Sequence, residues 1–405
     1  MSTLKVDAIR HNSATSDAIT TAADGTCTAK LTSVGGSQLS HRNLIINGAM
    51  TVAQRGQSAT VGDNSYATVD RFKLDQNSLD EDVTQAQADV ASGTTPYTLG
   101  FRKAFKITNG NQTSGAGSAD RIIVEYKIEA QDIANSGWNY TSSSSYITFS
   151  YWVRSSVSQN FYNTFKNDDG TSQRYVTETG SLSANTWTKI TKTIPGNSNL
   201  TFNNDNGEGL EITWELFRGT DQTGTRPLNA WAAADNATRT PDQTSTWYTT
   251  EDATFEITGV QLEVGDTATS FEHRSFHDEL LRCQRYYYQV GGETNTGGPN
   301  EPYGIILPFA MVATSIRAKG VLTHPVPMRD APTISSGGSG AAKIQMGDRT
   351  GSGDLAYQSF WTNSNSTKFT WIEFSPNSGT ISYQNEPGII YANNSTFHLK
   401  VDAEL

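Results

Sequence analysis

Ser275, His277 and Asp278 are the residue types of a nucleophilic triad, and they stand almost side by side. A working triad brings its members together in space with a set mutual geometry. Adjacency along the chain does not supply that, and a helix cap with solvated polar neighbours accounts for the three residues. His273 and His277 are four residues apart, as two metal ligands on a helix would be, but they straddle a helix start and no third ligand stands close by. Glycoside cleavage needs two carboxyl groups about 5–10 Å apart. Glu211 and Glu215, on one face of one strand, would be about 13 Å apart, so each would need a partner from elsewhere. The sequence holds no Gly-x-Ser-x-Gly and no phosphate-cradling glycine loop. The expectation is a chain that is not an enzyme, with no catalytic residue, resident metal or cofactor.

Sugar recognition asks for a different set of residues. Rings stack on sugar C–H faces, while amides and hydroxyls pair with the sugar hydroxyls. Toward the C-terminal end, aromatics sit among Asn and Ser, as in Phe360-Trp-Thr-Asn-Ser-Asn365. Tyr357, Trp361, Asn363 and Asn365 are the candidate glycan contacts, because their sequence reads as loop. Tyr303 and Trp371 read instead as core aromatics of a small β domain.

These residues must be positioned by a β-rich chain. The 405 residues are 35% apolar and 10% aromatic, with heavy use of Asn, Ser, Thr and Gly. That mix suits many short strands with polar faces, and it is too rich in aromatics for disorder. The formal net charge is −11 and no basic block occurs, which argues against nucleic acid as a partner. No apolar run approaches 18 residues, so membrane insertion is not expected. Residues 1–10 have no apolar core of the signal-peptide type, and synthesis in a cytosol is expected. Cys27 and Cys283 are far apart, and a disulfide is not expected between them in a reducing compartment.

The periodicity divides the chain. Residues 1–42 carry few sizeable apolar residues, too few for a core of their own. Their Thr/Ser/Val alternation is β-competent, so they read as an extended arm ordered by docking or strand exchange with other chains. Residues 43–275 read as a two-sheet jelly roll. In Ile147-Thr-Phe-Ser-Tyr-Trp-Val153, the residues Ile147, Phe149, Tyr151 and Val153 share one face. Leu210, Ile212, Trp214 and Leu216 do the same, with Glu211 and Glu215 outward. In Phe255–Val264 the phase flips at Gly259, the mark of a bulge. Residues 276–302 read as a helix and linker, with helical character over 275–289 and Ser275 as N-cap. Phe276, Leu280, Cys283 and Tyr287 recur at spacings of four, three and four. That stripe fits a helix packed flat on its own sandwich or a short neck at a three-fold axis, and two heptads do not choose between them. Residues 303–405 read as a smaller C-terminal β-sandwich, with strands at 303–310, 315–322, 342–345, 369–374 and 397–405 and a sheet edge at the proline-bounded segment 326–333.

Four segments together resemble the tail-fibre and tail-associated virion proteins of phages of marine bacteria and cyanobacteria. They are Ser2-Thr-Leu-Lys-Val-Asp7; Asn43-Leu-Ile-Ile-Asn-Gly-Ala-Met50 with Gln54-Arg-Gly56 and Asp70-Arg-Phe72; Ile147–Arg154; and Phe255–Gly265 through Arg282-Cys-Gln-Arg-Tyr286. The likeness runs in order along nearly the whole chain, to Val401-Asp-Ala-Glu-Leu405. The body also resembles jelly-roll carbohydrate-binding modules, whose first-strand Asn-Gly-x-Phe-Glu and last-strand Asp help to hold a structural calcium. Here Asn47-Gly48 is followed by Met50-Thr51, and Thr258-Gly259 stands where the carboxylate is expected, a departure that argues against the calcium. The resemblance implies a tail fibre carried in the virion and made in the host cytoplasm. It implies a homotrimer docked through residues 1–42 to a tail adaptor or nozzle protein, with 303–405 as a tip that meets a host polysaccharide or outer-membrane receptor by weak multivalent binding. A purely structural spike, collar or decoration protein and a polysaccharide depolymerase are the alternatives.

Overall fold

The computed structural model describes residues 6–10, 19–21, 23, 27–29, 41–60, 62, 65–292, 304–346, 349–350, 355–358, 366–377, 380–381 and 384–405. The protein is all-β, with a jelly-roll body of two six-stranded antiparallel sheets. From edge to edge, one sheet runs Trp231–Ala233, Gln173–Ser181, Asn160–Asn167, Glu208–Arg218, Arg121–Glu129 and Lys73–Asn77. The other runs Thr188–Pro195, Tyr146–Ser155, Thr254–Val264, Lys103–Thr108, Thr84–Asp89 and Ser58–Thr60. One apolar core, from Ile45 to Leu262, fills the space between them. Ile147, Phe149, Tyr151 and Val153 all enter it, as do Leu210, Ile212, Trp214 and Leu216. Rings of Phe72, Phe149, Tyr151 and Trp214 meet at centroid separations of 5.1–5.9 Å.

Gly259 is the bulge its phase flip predicts. The ladder between Thr254–Val264 and Tyr146–Ser155 slips between Thr258 and Gln261. Gly259 has a φ of +64°, and a Cβ there would lie 2.6 Å from the Phe101 ring. The slip carries Val260 against the chain's first turn, where its carbonyl accepts from Asn43 Nδ2 at 3.0 Å.

Residues of the N-terminal arm pair with one another. Ala8–Ile9, Ile19–Thr21 and Cys27–Ala29 form a small antiparallel sheet. Local hairpins thus hold part of a segment expected to be extended.

The helix spans Phe276–Gln284 and is shorter than the helical reading of 275–289. Ser275 caps it, accepting from Asp278 N, and donates to Asp278 Oδ2 at 2.7 Å. Asp278 and Glu279 in the first turn and Arg282 in the last suit the helix dipole. The helix then stops, because Tyr286, Tyr287 and Tyr288 are each buried in different surroundings. Arg71 lies over the Tyr286 ring at 3.5 Å and Arg55 over Tyr287 at 3.4 Å. Tyr288 joins the C-terminal core and bonds His324 at 2.7 Å. Consecutive side chains point to opposite sides only in a strand, and Tyr287–Gly291 is one, paired with His398–Asp402.

This corrects the neck stripe. Phe276 is 59% exposed, Leu280 is half-buried, and Cys283 and Tyr287 are buried inside the chain, the latter off the helix. The four do not make one exposed seam. Of the two expectations, the helix lying against its own sandwich is the one seen: Glu279 accepts from the backbone N–H of Asn47 and pairs with Arg274 at 2.9 Å.

The C-terminal module packs the three-stranded sheet Tyr287–Gly291, His398–Asp402, Thr333–Gly337 onto a larger sheet around a second core. Thr333–Gly337 is an edge strand; of the segment 326–333 expected at a sheet edge, only Thr333 lies in it, and 326–332 form the connection before it. The larger sheet runs from Ala342–Met346 through Leu355–Gln358, Phe369–Pro376, Arg317–Thr323 and Ile305–Thr314 to Pro387–Ala392. Pairing of Ala342–Met346 with Pro387–Ala392 closes it on itself, which removes free edges.

Module and body meet at a buried charged junction. Arg71 pairs with Glu404 and donates to the Lys127 carbonyl at 2.6 Å. Arg55 lies 3.2 Å from Glu404 and 3.7 Å from Asp70. Arg285 grips Glu129 through two bonds of 2.8 and 2.7 Å. Burial works to raise the Glu129 carboxyl, but bonds from Arg285 and Tyr286 together hold it below the ordinary value. Arg329 donates to the carbonyls of Ala403 and Asn206 at 2.7 and 2.8 Å. The segments around Gln54, Asp70, Arg282–Tyr286 and Val401–Leu405 therefore act together as a clamp that holds the module to the body.

Candidate recognition face

The outer face of the larger C-terminal sheet carries the chain's broadest exposed apolar surface among the described residues. Val321 pairs with Trp371 and Thr323 with Phe369. Ala310 pairs with Gly320 and Met311 with Lys319, so Phe309 comes abreast of Val321. Exposure alternates along each strand, with Phe309 and Met311 outward around buried Ala310, Val321 outward beside buried Leu322, and Phe369 and Trp371 outward around buried Thr370. Phe309 is 62% exposed and Trp371 41%. Residues two apart on a strand face are about 7 Å apart, and a strand two places away is about 10 Å distant. Phe309, Phe369 and Trp371 thus frame a shallow platform of sugar-ring dimensions around Val321. Its rim is ionic, with Glu373 lying 3.1 Å from Arg317 and 3.7 Å from Lys319.

Trp371 corrects the sequence reading, which placed it in the core. Both parities of Phe369–Phe374 carry large apolar residues, and Ile372 and Phe374 are the ones that enter the core. Tyr357, expected in a loop, belongs to the strand Leu355–Gln358, whose backbone pairs it with Phe374. Trp361, Asn363 and Asn365, and Tyr303, lie outside the described residues. Phe309 was missed; an outward phenylalanine one residue after Pro308 was the available signal.

The other chemical candidates are engaged structurally. Ser275 and Asp278 form the helix cap, and His277 is exposed beside them. His273 is turned away, its Nε2 at 2.9 Å from the Leu99 carbonyl and its ring against Phe101 and Phe271. Glu215 faces outward from its strand as expected but is buried, bound by Arg218 at 2.9 Å. Arg239, from the connection between Trp231–Ala233 and Thr254–Val264, lies close enough to feel its charge.

Glu211 meets Asp168 and Glu208, with ligand oxygens within 4.8 Å of one another. This is the one three-acid group close enough for a metal among the described residues. Lys127 lies 2.5 Å from Glu208, and Lys166 pairs with Asp168. Burial, then the bond to Asp168, pushes the Glu208 carboxyl up to about 8. A proton shared among acids and balanced by two lysines accounts for the cluster. At the position of the carbohydrate-binding-module calcium motif, Asn47 is spent on backbone, with Nδ2 donating to the Val52 and Asp70 carbonyls and Oδ1 accepting from Val52 N. The residues present do not fit a calcium cradle.

No family model matches the chain, and no curated protein matches it in sequence. Among solved structures it is similar to the enzymatically active domain of bacteriophage CBA120 tailspike protein 4, with a TM-score of 0.29 and 9% identity over 55% of this chain and 21% of that one. It is also similar to the N-terminal cellulose-binding domain of Cellulomonas fimi β-1,4-glucanase C, with a TM-score of 0.25 and 10% identity over 54% and 99%. The N-terminal CBM22-1–CBM22-2 tandem domain of Paenibacillus barcinonensis Xyn10C gives a TM-score of 0.24 and 8% identity over 88% and 99%. These likenesses are distant, and the jelly-roll assignment rests on the strand pairing described above.

Proposed function

We propose that this protein is a non-enzymatic attachment protein of the tail-fibre kind, carried in a phage virion, that binds host-surface glycan through the face of Phe309, Val321, Phe369 and Trp371. The observation that carries the reading is the set of outward aromatics abreast on adjacent strands of a rigid sheet. Ring faces take the C–H faces of sugars, and the charged rim takes hydroxyls. Such a platform has no deep pocket, so a single site binds weakly. A homotrimer docked through residues 1–42 to a tail adaptor would present three copies, and linkage multiplies affinity by effective concentration. The non-enzymatic reading is supported by the cluster around Glu208, where Lys127 pairs with Glu208 and Lys166 with Asp168.

Adsorption of the purified chain to cells of a permissive strain tests this. Trp371→Ala with Phe309→Ser is expected to abolish adsorption while leaving the far-ultraviolet dichroism and melting unchanged. Wild-type adsorption by a folded double variant would remove the face from the function.

Met311 and Val321 favour a second reading, in which the same face is a self-association seam of a purely structural virion protein, since contiguous exposed apolar surface often marks an interface. A solution mass near 44.0 kDa at high concentration would count against both this reading and the trimer. Assembly lost in the double variant would favour the seam.

A further inference from the structure

Arginines gather on the outer face of the sheet that holds Glu208–Arg218. Tyr175 and Phe217 enter the core, so their neighbours Arg174 and Arg218 point outward. The chain between Arg218 and Thr254 lies over them and adds Arg226 and Arg239. Arg174 donates to the Asp235 carbonyl at 2.9 Å, and Arg218 donates to Gln222 Oε1. The Gln222 carbonyl in turn accepts from the Arg239 backbone N–H at 2.8 Å. Arg174 is left 2% exposed, while Arg239 is half-buried.

The nearby carboxylates are engaged elsewhere. Arg218 grips Glu215 through bonds of 2.9 and 3.1 Å, and Thr213 donates to the same carboxylate at 2.8 Å. Asp235 is exposed and accepts from Ala237 N and Thr238 Oγ1 at 2.9 and 2.8 Å. Glu211 faces Asp168 and Glu208. Arg226 is held by the carbonyls of Ala233, Ala232 and Arg174 at 2.9–3.3 Å. Arg174 and Arg239 are different. Neither makes an ion pair with any described residue, and the Nε of each is buried without a hydrogen-bond partner. Burial, then the charge of Arg239, pulls the Arg174 guanidinium down to about 10. Two cations side by side, withdrawn from water and without a carboxylate of their own, are costly to hold. An anion placed against them would offset both the lost hydration and the repulsion.

We propose that Arg174 and Arg239 form an anion site for a dianionic oxyanion, either free phosphate or the phosphate monoester of a sugar. Two unpaired guanidinium charges match one dianion, and the planar fork of each suits a pair of phosphate oxygens. Arg239 is the less buried of the two, so the anion enters past it and Arg174 lies behind. No basic run in the sequence announces the site, because a strand and a distant connection bring its members together only in the fold. It is separate from the C-terminal face and stands or falls without it.

Isothermal titration and melting of the full chain near neutral pH test the proposal. The probes are sodium phosphate and a glucose phosphate monoester, with chloride and acetate at matched ionic strength as controls. Saturable binding of a phosphate probe is expected, with a rise in melting midpoint that neither control gives. Arg239→Gln is expected to weaken binding about tenfold or more. It is also expected to leave the midpoint in chloride unchanged or higher, because it removes one of two like charges. Arg239→Lys keeps the charge and should keep part of the affinity. Tighter binding of the sugar ester would assign the site to a glycan, and equal or tighter binding of free phosphate would assign it to the ion. Failure of both probes to bind, equal binding of acetate, or full affinity in Arg239→Gln would each overturn the site. So would a lower midpoint of Arg239→Gln in chloride, which would mean that this guanidinium already has its counter-charge.

Discussion

Glu404→Ala should loosen the C-terminal module from the body far more than one surface carboxylate would. Arg71 is 1% exposed, and Glu404 is its carboxylate partner, while its other contacts include the Lys127 carbonyl at 2.6 Å and the rings of Tyr286 at 3.5 Å and Tyr126 at 5.4 Å. Glu404 also faces Arg55, which keeps Asp70 at 3.7 Å and Asp402 at 3.4 Å when Glu404 is gone. The variant therefore strands one buried guanidinium rather than two. Breaking a buried pair from one side costs about 3–5 kcal/mol, most of it the uncompensated charge that remains. At about 2–4 °C per kcal/mol for a domain of this size, the melting midpoint should fall by about 6–20 °C. Scanning calorimetry should also show an earlier, separate transition for the undocked module. Replacing both partners, as Arg71→Met with Glu404→Met, should recover much of the loss, because an apolar pair leaves no charge behind. A Glu404→Ala midpoint within about 1 °C of wild type would refute the reasoning and mean that water reaches Arg71.

Gly259→Ala should destabilise by about 1–3 kcal/mol through crowding alone; strain at its φ of +64° adds to this, since the new methyl would meet Phe101 at 2.6 Å. Urea unfolding measures it, and an unchanged midpoint would deny the bulge its role. Burial, opposed by Arg55 and Gln54, lifts the Asp70 carboxyl from 3.8 to about 6. The folded state thus holds that proton more tightly than the unfolded chain, and the stabilisation, fully present below about pH 4, is lost as pH rises through 6. Relative to Asp70→Asn, wild type should gain roughly 2 kcal/mol between pH 7 and pH 4, and a flat or opposite difference would reject the assignment. Ser275→Ala should cost about 1 kcal/mol by removing the helix cap, read as a lower midpoint in denaturant, with Ser275→Asp close to wild type.

Much of the body was legible because its signals are local. Alternation over Ile147–Val153 and Leu210–Leu216 names the core-facing side of each strand without reference to any partner. The phase flip at Gly259 marks a bulge for the same reason, and Ser275 with Asp278 announces the helix start within one turn. The end of that helix was not legible. A run of four, three and four favours continuing to Tyr287, whereas the chain turns because Arg55 and Arg71, more than 200 residues upstream, wait for the tyrosines. That the segments around Gln54, Asp70, Arg282–Tyr286 and Val401–Leu405 form one clamp emerged only when the ends of the chain met.

The recognition face shows the same division. Within Phe369-Thr-Trp-Ile-Glu-Phe374, one parity offers Phe and Trp and the other Ile and Phe. Periodicity says that the segment is a strand but cannot say which side is covered. Pairing with Arg317–Thr323 and closure of the sheet put Ile372 and Phe374 inside and leave Trp371 beside Val321 in solvent. Glu215 went the opposite way, outward by parity and yet buried with Arg218 as its partner. Secondary structure follows from the period of neighbouring side chains, which the sequence carries. Exposure, and with it the capacity to bind, depends on which remote surface arrives to cover each face.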